Sequence, residues 1–206
     1  MTAINYAITT KEKVKTLLGL SGSTNDALID LLCAQVTDFI EGYCGGRRFL
    51  STTHSNEVHD TENVHNIFLN HYPITSLSAV EYRTGTFSSP VWASFIADGY
   101  LLYGDEGYVY FAGKLPAIKQ GMRFTYVAGY LIDWANETTI ANHTLPFDLT
   151  GVATALAGRM FSSRGTDGIK SQSTEGQSVT FNDPDKFLSE TDKYILGRYQ
   201  AIRVTK

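Results

Sequence analysis

One stretch limits the possible folds more than any other. Over residues 25–43 the apolar positions Ala27, Leu28, Leu31, Leu32, Val36, Phe39, Ile40 and Tyr43 recur at helical spacing, an i, i+3, i+4, i+7 stripe held for about five turns. Thr24 or Asn25 offers a short side-chain oxygen to the free amides of the first turn. Gly45 and Gly46 supply the left-handed exit. At 1.5 Å per residue such a helix is ~30 Å long, about the width of a small domain. Asp26, Asp30, Gln35, Asp38 and Glu41 are expected on its other face, toward water or another subunit. A helix of this length needs a mate, and 148–161 provides one. Pro146 opens it, in keeping with proline's tolerance in a first turn, and its stripe is Leu149, Val152, Ala153, Leu156, Ala157, Met160 and Phe161. Ala153, Ala157 and Gly158 are small enough to let another helix approach closely. Leu28, Leu32 and Phe39 facing Val152 and Leu156 are the expected core of the pair.

Between the two helices the texture changes. Alternation, aromatics and glycine turns predict strands over 49–59, 64–69, 74–82, 91–96 and 122–131. Residues 100–103 and 108–111 flank Gly104-Asp105-Glu106-Gly107, a hairpin with strong turn chemistry. A short helix over 10–18, capped by Thr9 or Thr10 and stopped by Gly19, precedes the long one, with Val14, Leu17 and Leu18 inward. Residues 162–177 read as a loop or extended arm, 178–181 as a short strand and 189–202 as a last helix. Ser189 with Asp192 three residues on resembles a capping box. The expected fold class is α+β: a small helical bundle (1–50 and 141–206) carrying an inserted antiparallel β-barrel or sandwich (51–140) and an extended C-terminal arm.

Composition narrows the function. With 206 residues, 43% hydrophobic, the chain can build one good core plus a β-rich insertion. No apolar run approaches the ~20 residues a membrane span needs, so the expectation is a soluble protein made in a cytoplasm, with no membrane partner. Cys33 and Cys44, ~16 Å apart along one helix, cannot reach the ~7 Å a disulfide requires. The formal charge of −4 is concentrated in 49–163, where five basic residues face ten acidic ones. That is no footprint of a protein that grips nucleic acid, though it suits a surface that DNA slides past.

Catalytic motifs are missing from the sequence. There is no G-x-S-x-G, P-loop or G-x-G-x-x-G. His54, His59, His65 and His71 lie near Glu57, Asp60 and Glu62, but their spacing fits neither H-E-x-x-H nor a zinc finger. Polar faces and turns of a sheet explain them better than a metal does. Tyr100, Tyr103, Tyr108, Tyr110 and Phe111 could stack on sugars or bases, but aromatics are also ordinary strand residues. No catalytic residue, metal or cofactor is expected. A glycan-binding receptor module is the alternative that the tyrosine hairpin keeps open, and a small hydrolase using the histidine cluster is a third.

Four stretches, taken together and in this order, resemble the head-to-tail connector adaptors, or head completion ring proteins, of tailed bacteriophages. The first is Asp26-Ala-Leu-Ile-Asp-Leu-Leu running on to Phe39-Ile-Glu-Gly-Tyr-Cys-Gly-Gly-Arg-Arg-Phe49. The second is Tyr72-Pro-Ile-Thr-Ser-Leu-Ser-Ala-Val-Glu-Tyr82, and the third Phe124-Thr-Tyr-Val-Ala-Gly-Tyr130 with Leu145-Pro-Phe-Asp-Leu149. The fourth is Ile169-Lys-Ser-Gln-Ser-Thr-Glu-Gly-Gln-Ser-Val-Thr-Phe181 and the helix holding Tyr194-Ile-Leu-Gly-Arg-Tyr199. The resemblance implies a structural virion protein of the phage neck. It implies a homo-oligomeric ring of twelve copies that docks under the portal protein after DNA packaging. Double-stranded DNA would pass through the lumen without sequence recognition, and the ring would offer a platform to the next connector or tail protein. It also implies that the C-terminal segment docks into the portal. In this chain that segment offers Tyr194 and Tyr199 as amphipathic anchors and Arg198, Arg203 and Lys206 as cations.

Overall fold

Thr10 and Gly19 bound the first helix as their chemistry requires. In the computed structural model, which describes residues 7–139, 141–163 and 187–200 and the backbone of 171–174 and 177–180, α1 (Lys11–Leu18) starts with the Thr10 side chain accepting from the Lys13 amide. It ends on Gly19 at φ 64°, a left-handed conformation glycine adopts without strain. The helices form one compact unit, made of the residues up to Gly46, Trp134–Asn136 and Leu145–Gln200. The strands form a second, Arg47–Asp133 with Glu137–Thr144.

In the helical unit, α2 (Asp26–Tyr43) has Asn25 at its N-cap, but the Asn25 side chain makes no capping bond. Its first turn is tied instead to α1: Lys15 Nζ donates to Asp26 at 2.7 Å and Lys11 Nζ to Asp30 at 3.1 Å. The buried face of α2 runs through Ile29, Leu32, Cys33, Val36, Thr37, Ile40 and Glu41. Thr37 is accommodated there because its hydroxyl donates to Cys33 O at 2.8 Å and accepts from Ile8 N at 3.1 Å. Leu28, Leu31 and Phe39 are exposed, and Glu41, expected outside, is inside. Apolar residues occupy most of the circumference of α2, so a single stripe drawn through them merges two faces. The true core face is the one centred on Ile29, Val36 and Ile40. Of the five residues expected to form the core, Leu32, Val152 and Leu156 are buried, whereas Leu28 and Phe39 are not.

The helix α3 (Phe147–Ser163) buries Leu149, Val152, Ala153, Leu156, Ala157 and Phe161 and packs against α2, α1 and α4. Gly158 is where α1 comes close: a Cβ there would stand 3.3 Å from Leu17 Cδ2 and 3.6 Å from Leu18 Cδ2. Most of Leu17 nevertheless stays in solvent, and only Val14 of α1 is fully inward. Strands β8 (Ser171–Thr174) and β9 (Gln177–Thr180) pair as a small antiparallel hairpin where the sequence predicts a loop followed by one strand. The last helix, α4 (Glu190–Gly197), begins with the expected capping box. The Ser189 side chain accepts from the Asp192 amide, and Asp192 accepts from the Ser189 amide. Leu196 is fully buried, and the Cys44 thiol reaches its carbonyl at 3.8 Å. Cys33 and Cys44 are both free and buried, and burial pushes the Cys33 thiol up to about 12.

The second unit contains two antiparallel sheets. One has the order β1-β7-β3-β4, from β1 (Thr52–Thr61), β3 (Ile74–Arg83), β4 (Trp92–Ser94) and β7 (Ile118–Ala128). The other has the order β2-β6-β5, from β2 (Asn66–Phe68), β5 (Tyr100–Tyr103) and β6 (Tyr108–Phe111). Val80, Met122, Phe124 and Tyr126 from the first share a core with Ile67, Val109 and Phe111 from the second. These are two separate sheets over one core, a sandwich and not a closed barrel. The start of the unit is fixed by Arg47, only 1% exposed. Its guanidinium lies 3.4 Å from the centre of the Tyr72 ring and its Nε donates to Tyr72 O at 2.9 Å. Both a planar cation on an aromatic face and a hydrogen bond are needed to hold such a charge out of water.

Candidate functional site

The C-terminal segment is built onto α3 by two ionic contacts. Arg159 Nη1 donates to Asp192 Oδ2 at 2.7 Å and to Phe187 O at 2.6 Å, which ties the start of α4 to the middle of α3. Burial alone would raise the Asp192 carboxyl, but Arg159 and Ser189 hydrogen-bond its ionised form and the net shift is downward. Asp148, in the first turn of α3, takes the other end of α4. Its Oδ1 accepts from the Tyr199 hydroxyl at 2.7 Å and from Leu149 N at 2.8 Å, and its Oδ2 accepts from Arg198. A carboxylate at a helix N-terminus is favoured by the exposed amides there.

Arg198 and Tyr199, expected as portal-docking residues, are thus engaged within their own unit. Tyr194 points the other way, 76% exposed. Arg203 and Lys206 lie outside the described residues. The sequence reading missed Asp148 as the partner. An acid in the first turn is a recognisable signal, but nothing in the sequence connects it to residues fifty positions downstream.

The histidines in the second unit gather more tightly than alternation allows. Asn56 sits at φ 60°, and the β1–β7 register slips between His54 and Glu57. That bulge turns His54 and Glu57 toward the same neighbour, Tyr126. The His54 and His71 rings stack with centroids 3.9 Å apart and planes within 9°, and the Tyr126 ring lies 5.2 Å from His54. Glu57 accepts from the Tyr126 hydroxyl at 2.6 Å and from Asn70 N at 3.0 Å, with His59 Nε2 at 2.6 Å. Arg48 N donates to His71 Nδ1 at 3.1 Å. Burial, and then the neighbouring His54, hold His71 down at about 4. Burial lowers His54 as well, and its Nε2 is buried without a hydrogen-bond partner. Burial by itself would raise Glu57, but the bonds from His59, Tyr126 and Asn70 outweigh it and bring the carboxyl to about 2.

The cluster is one half-buried carboxylate beside two stacked imidazoles whose burial disfavours their charged forms. Among the described residues no three His, Cys, Asp or Glu side chains gather to hold a metal. His65 lies apart, stacked on Tyr110 at 5.7 Å.

The tyrosine hairpin spends much of its aromatic surface on itself. Tyr103 and Tyr108 stack at 4.6 Å, Tyr100 and Phe95 surround Phe111 at 6.2 and 5.2 Å, and Phe111 is fully buried.

With this geometry in view, the sequence profile of the head completion protein family matches residues 7–202. The chain belongs to that family: it is a structural virion protein of the head–tail junction rather than an enzyme. No curated protein matches it. Among solved structures it is similar to a chain in the neck of an empty GTA particle computed with C6 symmetry. That match has a TM-score of 0.60 and 18% identity, and covers 100% of this chain and 95% of the other. A chain in the neck of a native GTA particle computed with C12 symmetry gives 0.60 and 17%, covering 100% and 94%. One in the virion of the native gene transfer agent gives 0.58 and 18%, covering 100% and 95%.

Proposed function

We propose that the chain forms the adaptor ring of a phage neck, in twelve copies, docked under the portal protein once DNA is packaged. The ring lengthens the DNA channel and presents a platform to the next connector or tail protein. The observation that carries this is the end-to-end match to the head completion family, joined to whole-chain likeness to a neck subunit solved with twelvefold symmetry. The net charge of −4 supports passage of double-stranded DNA without trapping it. In this reading the docking element is the exposed Tyr194 side of α4 together with residues 201–206, which include Arg203 and Lys206. Arg198 and Tyr199 serve it indirectly, by fixing the place from which those residues depart.

The test is truncation after Gln200. This leaves α4 and both of its ionic contacts in place, whereas stopping after Leu188 would also remove Leu196 from the core. The expected result is an unchanged melting temperature for the purified protein and DNA-filled heads that leak or fail to join tails. Infectious particles at the full-length level from the truncated chain, with Tyr194→Ala added, would overturn the docking assignment.

A further inference from the structure

The chain enters the sheet unit through Arg47 and Arg48, and the loop between β2 and β3 receives it. Arg47 is held by contacts that do not titrate: its Nε donates to Tyr72 O at 2.9 Å, and its guanidinium lies on the Tyr72 ring. Arg48 is held differently. Its backbone amide donates to His71 Nδ1 at 3.1 Å. An acceptor nitrogen carries the lone pair, so the proton of this ring sits on Nε2. A second proton on His71 has one place to go, the atom that the Arg48 amide already occupies.

The surroundings of the ring push the same way. The His54 ring lies against one face of it, 3.9 Å away between centroids, and His54 Nε2 is buried without a hydrogen-bond partner. Arg47 and Arg48 are cations near His71, and the Glu57 carboxylate opposes them. Glu57 is already bonded to His59, Tyr126 and Asn70. Tyr126, on β7, accepts from the His71 amide at 3.3 Å.

We propose that His71 is an acid-released latch on the entry to the sheet unit: protonation of Nδ1 turns an acceptor into a donor, expels the ring from its stack on His54 and frees the Arg48 amide, while the Arg47–Tyr72 contact and the β1–β7–β3 ladder stay closed. The closed latch resists the proton until about 4, whereas the open one takes it at the ordinary histidine value near 6.5. The latch is therefore shut above pH 6.5 and is progressively released as pH falls toward 4.

Hydrogen exchange of the full-length protein tests this, corrected for the intrinsic effect of pH and run in a urea series below the unfolding transition. The Arg48 amide reads the latch and the β7 amides read the ladder. In the wild type, protection at Arg48 should fall about tenfold from pH 7 to pH 5. Its exchange at pH 5 should be insensitive to urea, as a local opening exposes little surface, while β7 exchange stays urea-dependent. His71→Asn offers the Arg48 amide an oxygen acceptor that does not titrate, and should protect Arg48 equally at both pH values. If that variant does not fold, His71→Phe, which has no acceptor, should leave Arg48 unprotected at both. His54→Phe keeps a ring in the stack and leaves Nδ1 of His71 in place, so the fall at Arg48 should persist. Wild-type protection of Arg48 that is equal at pH 7 and pH 5 overturns the proposal, as does a fall that survives His71→Asn or His71→Phe. Loss of the fall in His54→Phe overturns it too, by placing the proton on His54. So does an Arg48 amide with the urea dependence of β7, which would open only with the whole sheet unit.

Discussion

Acidifying this protein from pH 8 to pH 5 should loosen the sheet unit, and the His54–His71 stack is where it should start. Burial holds both rings below the ordinary imidazole value when the unit is folded, and the groups facing them are Glu57, Tyr126, Arg48 and Arg47. An unfolded chain takes up a proton on each histidine at its ordinary value near 6.5. The folded chain resists until about 4 at His71. Between those limits the unfolded state binds more protons, so stability is complete above pH 6.5 and is lost as pH falls toward 4. At 1.36 kcal/mol per pKa unit the undiscounted loss at His71 would be roughly 3 kcal/mol. The ring is only half-buried, so solvent screening reduces this to about 1–2 kcal/mol. Glu57, held at about 2 against an ordinary 4.5, adds a second loss that begins only below pH 4.5. The assay is hydrogen exchange of the β7 amides with urea unfolding at pH 8, 6.5 and 5. His54→Phe with His71→Phe keeps two stacked rings and removes both protons, and should flatten the pH 8 to pH 5 dependence while leaving stability at pH 8 within about 1 kcal/mol. Equal pH dependence in wild type and double variant would refute the argument, as would a wild type equally stable at pH 8 and pH 5.

Other substitutions distinguish core from surface. Leu156→Ala removes a fully buried side chain between helices and should cost about 2–5 kcal/mol in urea unfolding. Phe39→Ala, on the exposed side of α2, should cost about 1 kcal/mol or less in the monomer by the same measurement. Asp148→Ala should lower stability by about 1 kcal/mol at most, since Arg198 is largely exposed. It should speed amide exchange at Arg198–Gln200 without changing exchange in the middle of α3, as expected of a contact that holds only the end of α4.

What was legible in the sequence follows from how local each signal is. Thr10, Gly19, Ser189 and Asp192 act within one turn of chain, and the caps they predict are present. The hairpin at 100–111 is also local, and its strands run as its turn chemistry requires. Failures arise where the deciding term is a partner far along the chain. The core face of α2 is selected by what packs on it, and its own sequence offers apolar residues on nearly every side, so Phe39, expected inside, is exposed, while Ile29, absent from the expected stripe, is fully buried. The histidines fail for a different reason. Strict alternation places His54 and Glu57 on opposite faces, and only an extra residue in the strand brings them together. Asn56 was the available signal, because asparagine tolerates the left-handed conformation a bulge can require. Its consequence, a half-buried carboxylate bonded to Tyr126, depends on β7 more than sixty residues away. Arg47 repeats the lesson: no local signal in the sequence marks it as buried, yet it lies against the Tyr72 ring with only 1% of its surface exposed. A charged residue near chain aromatics is therefore a poor guide to a partner-binding surface in this protein until its own unit has been searched for the ring it covers.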